Sequence, residues 1–315
     1  MIKQFRLIWN VGFKPCITLL LATALISPAW ADAGWISGGG NPQLMIEEHK
    51  TISMKREVVD VQIGKELITV DCKFEFKNNG PACKVRMGFP DIPIETGDDK
   101  TDDGKQFPFF FSYRSYVDGK EVETSVEKGK SEEDDLFWHS QDVEFAANAV
   151  HSVRDIYTIP AALSVDYGGN CSRAFYYILR TGASWQGKIG SGLITIKFDP
   201  DILSAPLKVV SYEKGGSVQP KDRPDNMVVY DSNLKAISKA NSIQFRFKNF
   251  EPKDDGDNVA IEFGKLSEEE ALQYFAALMQ KYLDNKRNSF SKEDVAIWEK
   301  FTAQCQDLAR KKQKP

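Results

Sequence analysis

Cysteine and histidine are scarce in this chain, with five Cys and three His in 315 residues. The histidines, His49, His139 and His151, stand far apart, and none lies in an H-E-x-x-H motif or at metal-ligand spacing from another His or Cys. No two cysteines form a C-x-x-C pair, which removes the thioredoxin-like and zinc-ribbon readings. A phosphate-binding glycine loop is missing too, since Gly38-Gly39-Gly40 has neither a lysine nor a helical pattern behind it. Gly182-Ala183-Ser184-Trp185-Gln186-Gly187 has G-x-S-x-x-G spacing, whereas a nucleophile elbow needs G-x-S-x-G between a strand and a helix. It reads as a turn into a strand over 190–198. Asp99, Thr101, Asp103 and Gly104 imitate half of a calcium loop whose twelfth position, Phe110, offers no oxygen. These absences leave no catalytic residue, no metal ligand set and no cofactor to assign.

Long apolar runs are lacking beyond the first residues. Lys3, Arg6 and Lys14 precede an uncharged stretch over 16–27 and then Pro28-Ala29-Trp30-Ala31-Asp32. A basic n-region, a short apolar stretch and an A-x-A end predict a secretory signal peptide over 1–31, cleaved after Ala31. The run is too short to span a bilayer, and Cys16 stands at its start, away from the position of a lipoprotein cleavage site. Losing Lys3, Arg6 and Lys14 lowers Lys+Arg from 41 to 38 against 45 Asp+Glu, a formal charge of −7. A nucleic-acid partner needs a basic face, and the one basic run is the short tail over 310–314. The expected location is the periplasm or the exterior, with no membrane span after cleavage.

What the chain has in quantity is alternation. Ile68, Val70, Cys72, Phe74 and Phe76 alternate with Thr69, Asp71, Lys73, Glu75 and Lys77, the pattern of a half-buried strand. Val59/Val61/Ile63, Ile194/Ile196/Phe198, Ile243/Phe245/Phe247 and Val259/Ile261/Phe263 repeat it. Asn78-Asn79-Gly80-Pro81 predicts a hairpin turn into Cys83, Val85, Met87 and Phe89, and Asp118-Gly119 predicts a second hairpin. The expected fold is mainly β: an antiparallel sandwich-like unit over 32–160, a second over 161–264, and a C-terminal helical hairpin with a basic tail over 265–315. The helices are signalled by the capping box Ser267…Glu270 and the stripe Leu272, Phe275, Met279, Tyr282, then by Ser291 and the stripe Val295, Trp298, Phe301, Cys305, Leu308.

An exported chain permits disulfides. In the expected hairpin Cys72 and Cys83 are four residues out of step, about 13 Å apart at ~3.3 Å per residue, which excludes a bridge between them. Cys83 with Cys171 is the expected pair, with Cys305 a buried thiol. Trp138 and Trp185 are the expected recognition residues, as tryptophans placed in loops and free to stack on a glycan or anchor a protein of the envelope.

The series Gly38-Gly39-Gly40, Ile52-x-Met54, Asn78-Asn79-Gly80 and Gly88-Phe89-Pro90 resembles an uncharacterised family of exported bacterial proteins classed as a domain of unknown function. Tyr177-Ile178-Leu179-x-Thr181-Gly182-x-x-Trp185-x-Gly187-x-Ile189-Gly190 and Asn249-Phe250-Glu251-Pro252 look like its later landmarks, so the resemblance covers about 34–264. It implies an exported β-rich protein and assigns no functional residue. The reading that follows is a non-enzymatic binding or scaffold protein of the bacterial cell envelope. The alternative is a carbohydrate-active enzyme with paired carboxylates in an aromatic cleft.

Overall fold

Period-two alternation builds the longest strands, whose apolar faces are shut away. In the computed structural model, residues 33–35, 38–40, 43–44, 51–96, 105–129, 136–165, 171–202, 206–211, 226–253 and 255–312 are described. Residues 1–31, where the signal peptide is expected, the acidic stretch over 97–104 and residues 130–135 lie outside them. The strands begin with β1 (Ala33–Trp35), β2 (Gly38–Gly40), β3 (Gln43–Leu44), β4 (Ile52–Ile63), β5 (Leu67–Asn78), β6 (Cys83–Asp91) and β7 (Ile94–Thr96). Next come β8 (Lys105–Phe107), β9 (Ser112–Val117), β10 (Lys120–Val122), β11 (Ser125–Lys128), β12 (Phe137–Phe145), β13 (Val150–Pro160) and β14 (Ala162–Val165). Then follow β15 (Cys171–Ile178), β16 (Ile189–Phe198), β17 (Lys208–Ser211), β18 (Met227–Asp231), β19 (Ala236–Lys239), β20 (Ser242–Phe250) and β21 (Val259–Leu266). Two helices, α1 (Glu268–Lys286) and α2 (Lys292–Lys312), come last.

An eight-stranded sheet in the order β10-β9-β13-β5-β4-β16-β20-β19 is the backbone of the fold. Its inward residues, among them Ile68, Val70, Cys72 and Phe76 of β5, are fully buried, each large apolar side chain contributing about 1.5–3 kcal/mol. At the β9–β13 end they meet a four-stranded sheet, β11-β12-β6-β3, where the Phe89 ring lies 5.2 Å from Tyr157 and 5.7 Å from Tyr113. At the β4–β20 end they meet a seven-stranded sheet built on β1-β14-β15-β21-β18-β17, with Phe198 5.4 Å from Phe263 and Tyr230 5.6 Å from Phe245. The chain is mainly β with a C-terminal helical pair, as expected. Two sandwich-like packings are present, yet they share one sheet and one continuous core. Residue 160 is therefore no seam: β16, from beyond it, sits beside β4 and carries β20 on its other edge. The expected all-antiparallel pairing is also corrected, since β4 pairs with β16 in parallel, as do β2 with β15 and β17 with β18.

The hairpin expected between β5 and β6 does not form. β5 pairs with β4 and β13, while β6 pairs with β12 and β3. Asn78 explains the corner: fully buried, its Nδ2 donates to the carbonyls of Pro81 (2.6 Å) and Ala146 (3.1 Å), and its Oδ1 accepts from Thr51 Oγ1 (3.0 Å). The turn is thus tied to its surroundings and hands the chain from one sheet to another. Asp118-Gly119 does form its hairpin, with φ of 51° and 78° at the two positions.

Among the described residues no disulfide is formed, and Cys72, Cys83, Cys171 and Cys305 are thiols. The expected Cys83–Cys171 bridge is therefore corrected. Cys83 opens β6 opposite Phe145 in the four-stranded sheet, and Cys171 opens β15 in the seven-stranded one. Cys305 is buried on its helix stripe as expected.

The helices begin where their caps are. Ser267 accepts from Glu270 N while Glu270 accepts from Ser267 N, a complete capping box, and Ser291 Oγ accepts from Asp294 N at 3.1 Å. Their stripes meet each other and also β7, β8 and the Phe109-Phe110-Phe111 run, forming a second core. Alternation divides that run: Phe110 stacks on Tyr157 (4.4 Å) in the sandwich, whereas Phe109 and Phe111 face Tyr282 (5.3 and 5.2 Å) on α1. The stripes therefore pack on each other and against β7, β8 and this run, and α1 also touches β15 and β21 of the seven-stranded sheet.

Candidate functional site

Three polar clusters with catalytic potential are inside. Asp91, fully buried at the end of β6, accepts from the backbone N–H of Phe109 (2.9 Å) and Phe110 (3.1 Å), and its Oδ2 lies 3.0 Å from His139 Nε2. On the neighbouring strands Tyr113 donates to Asp155 (2.8 Å). Tyr177 donates to Glu57 (3.0 Å) and lies 3.7 Å from Cys72 Sγ. Burial pushes the Cys72 thiol well above its ordinary range, so it offers no thiolate at neutral pH. Each of these groups ties strands together across the core, and none of them faces solvent.

Asp155 gives the cluster a measurable signature. Burial, partly offset by the Tyr113 hydroxyl, raises its pKa to about 6, against about 3.9 for an unfolded Asp. The folded protein therefore holds this proton to higher pH than the unfolded chain. Its stability falls by on the order of 3 kcal/mol as pH rises from about 4 to about 6. Asp155→Asn keeps an acceptor for Tyr113 and removes the titration. In urea unfolding, the variant's advantage over wild type is expected to grow across that interval and level off above about pH 7. Parallel pH curves for the two proteins would exclude the assignment.

Both tryptophans expected at the surface are in the core. Trp138 lies on β12 at 2 % exposure, and Trp185 ends a 3-10 turn at 3 %, its ring 4.4 Å from Phe76. Neither presents a face to a glycan or a protein partner, so the expected recognition pair is corrected. The glycine-rich landmarks share a structural cause. Asn79 Nδ2 donates to Gln186 Oε1 (2.9 Å), and Gln186 N donates to the Ile52 carbonyl (2.8 Å), which pins three distant segments together at one end of the sandwich. His151, in phase with Val153, Tyr157 and Ile159, is half-buried with Nδ1 2.7 Å from Asp118 Oδ2.

The accessible candidate is on the outward face of the eight-stranded sheet. Pairing registers place Arg56 of β4, Ser191 of β16 and Lys248 of β20 in one row, with Val58, Leu193 and Arg246 in the next. With Glu57, Gly192 and Phe247, whose alternation turns them inward, they line a groove of about 420 Å³. Gly192 is required there, because a Cβ would come within 2.0 Å of the Phe247 ring lying over it. Arg246 Nη2 donates to Gln244 Oε1 (3.1 Å), and Gln244 Nε2 donates to Thr195 Oγ1 (3.4 Å), which holds one wall. Sequence reading missed this constellation. Alternation marks Arg56, Arg246 and Lys248 as outward, but the parallel pairing of β4 with β16 that joins them leaves no local signal.

No family model and no curated protein matches the chain. Among solved structures it is similar to a "putative nutrient binding protein" from Legionella pneumophila, at 16% identity and a TM-score of 0.53, over 86% of this chain and 84% of that one. That likeness shows the fold alone. An M1 zinc metallopeptidase from Deinococcus radiodurans (8% identity, TM-score 0.29, 68% of this chain and 42% of that one) also aligns. So does native leukotriene A4 hydrolase from Saccharomyces cerevisiae (9%, 0.36, 79% and 33%). This chain spans less than half of either enzyme, and scores this low carry no argument.

Proposed function

We propose that the chain is an exported, non-enzymatic binding protein of the bacterial cell envelope that holds a small ligand in the groove on β4, β16 and β20. The observation that carries this reading is the groove itself: an open site of about 420 Å³ with polar and apolar walls from three strands, of ordinary size for a small-molecule site. The Asp91–His139 and Glu57–Tyr177 pairs and the Cys72 thiol are in the core. The fold shared with the Legionella pneumophila protein supports a binding role, and the resemblance to an exported uncharacterised family supports the location. A glycosidase needs two carboxylates about 5–10 Å apart. The lining of the groove holds one, Glu57, turned inward.

The test is a thermal-shift screen of neutral and charged small molecules on wild type and on Leu193→Trp, which fills the groove from a half-buried outward position. A ligand at 100 times its Kd stabilises by about 2.7 kcal/mol. At least one compound is expected to raise the Tm of wild type and leave that of a cooperatively melting Leu193→Trp unmoved. Equal shifts in both proteins, or none in either, would contradict the proposal.

A further inference from the structure

We infer that the ligand of this groove is a small organic anion, its carboxylate or phosphate seated over Ser191 among Arg56, Lys248 and Arg246, with its apolar part on Val58 and Leu193. The inference rests on the binding reading above and names the ligand class.

The first support is an imbalance of charge. Acidic residues outnumber basic ones 45 to 41 in this chain, so an exposed cation on a strand readily finds a carboxylate. On the same outward face Lys73 pairs with Asp71 (3.3 Å) and Asp60 (3.8 Å), and Arg154 pairs with Asp71 (2.8 Å). On the four-stranded sheet Lys84 pairs with Asp142 at 3.0 Å and Arg86 with Asp142 at 3.1 Å. Among the described residues Arg56, Arg246 and Lys248 form no ion pair, although Glu75 stands directly across from Arg56 on β5. Like charges gathered on neighbouring strands repel, and among the described residues no side-chain hydrogen bond or ion pair offsets this for Arg56 and Lys248. A bound anion does.

The second support is shape. Adjacent strands lie ~4.8 Å apart, so the Cα atoms of Arg56 and Lys248 are about 10 Å apart with the Ser191 hydroxyl between them. Two long side chains converge across that gap on one oxyanion, to which Ser191 adds an O–H donor. A guanidinium fork matches carboxylate or phosphate oxygens two at a time. Arg246 reaches in from the next row, already braced by Gln244. Val58 and Leu193, half-buried beside it, are the apolar floor that a bare inorganic ion would leave uncovered.

The experiment is calorimetric titration of the full exported chain with benzoate, phenyl phosphate and the neutral benzyl alcohol, in 50 mM and 500 mM salt. The proteins are wild type, Arg56→Ala/Lys248→Ala, Arg246→Ala and, as a control of equal charge loss elsewhere, Lys84→Ala/Lys239→Ala. Both anions are expected to bind wild type, more weakly at high salt, with benzyl alcohol at least about tenfold weaker. The double groove variant should lose at least about tenfold in affinity for the anions and the control should not. If the double variant melts early, Arg246→Ala gives the same comparison with one charge removed. Benzoate against phenyl phosphate separates a carboxylate site from a phosphate site. Equal binding of benzyl alcohol, equal losses in groove and control variants, or no binding of either anion would overturn the inference. Neutral compounds that stabilise wild type but not Leu193→Trp would keep the binding reading while removing the anion. No ligand of any kind would remove both.

Discussion

Replacing Asp91 by Ala is expected to cost the fold about 3–5 kcal/mol, the penalty for removing one partner from a buried, fully bonded charge. The carboxyl group has no exposure, accepts from the backbone N–H of Phe109 at 2.9 Å and of Phe110 at 3.1 Å, and lies 3.0 Å from His139 Nε2. Alanine leaves two amides and an imidazole nitrogen without a partner away from water, each worth about 1–3 kcal/mol. The damage extends beyond one strand, since the Phe109-Phe110-Phe111 run feeds rings into both cores. Urea unfolding of Asp91→Ala should show the loss, and Asp91→Asn, with one acceptor oxygen left, should fall between. A change below about 1 kcal/mol in Asp91→Ala would show that the junction does not depend on this carboxylate.

Trp298→Ala is expected to be as costly, about 3–5 kcal/mol, but to act on one core. The ring has no exposure and lies 4.8 Å from Tyr282, 5.3 Å from Phe107, 5.8 Å from Phe301 and 6.3 Å from Phe290. It is the centre of the cluster that holds α1 and α2 against β7 and β8. Its loss leaves a cavity there and leaves the sandwich core intact. Hydrogen exchange should accelerate in α1 and α2 while β4, β5 and β13 stay protected. Uniform acceleration over helices and strands would show that the two cores unfold as one.

Faces were legible in the sequence, and partners were not. Alternation placed Ile68 to Phe76 inward correctly, and caps placed both helix starts, because each depends on residues a few positions apart. The β5–β6 hairpin failed because alternation fixes only which side a residue faces, and the buried Asn78 bonds that turn the chain elsewhere depend on Thr51 and Ala146. Cys83 and Cys171 stand at the openings of strands in different sheets, a separation no local pattern signals. Trp138 stands in phase with Ser140 and Trp185 follows a 3-10 turn, so neither showed the apolar company that buries it. One signal was present and unread: Asp91 is in phase with Val85, Met87 and Phe89, Asp155 with Val153, Tyr157 and Ile159, and Glu57 with Val59 and Val61. An acid in step with an inward apolar face marks a buried polar tie. The groove had no such signal, since its walls come from strands about 135 and 55 residues apart in sequence.

The central claim is that this protein works through the outward groove and keeps its reactive groups as structural ties in the core. Amide chemical-shift mapping of the best-stabilising compound tests it most directly. The account predicts shifts centred on 56–58, 191–193 and 246–248, strongest at Ser191, with Asp91, His139 and Cys72 unmoved. Shifts centred on those three residues, or on α1 and α2, would contradict it.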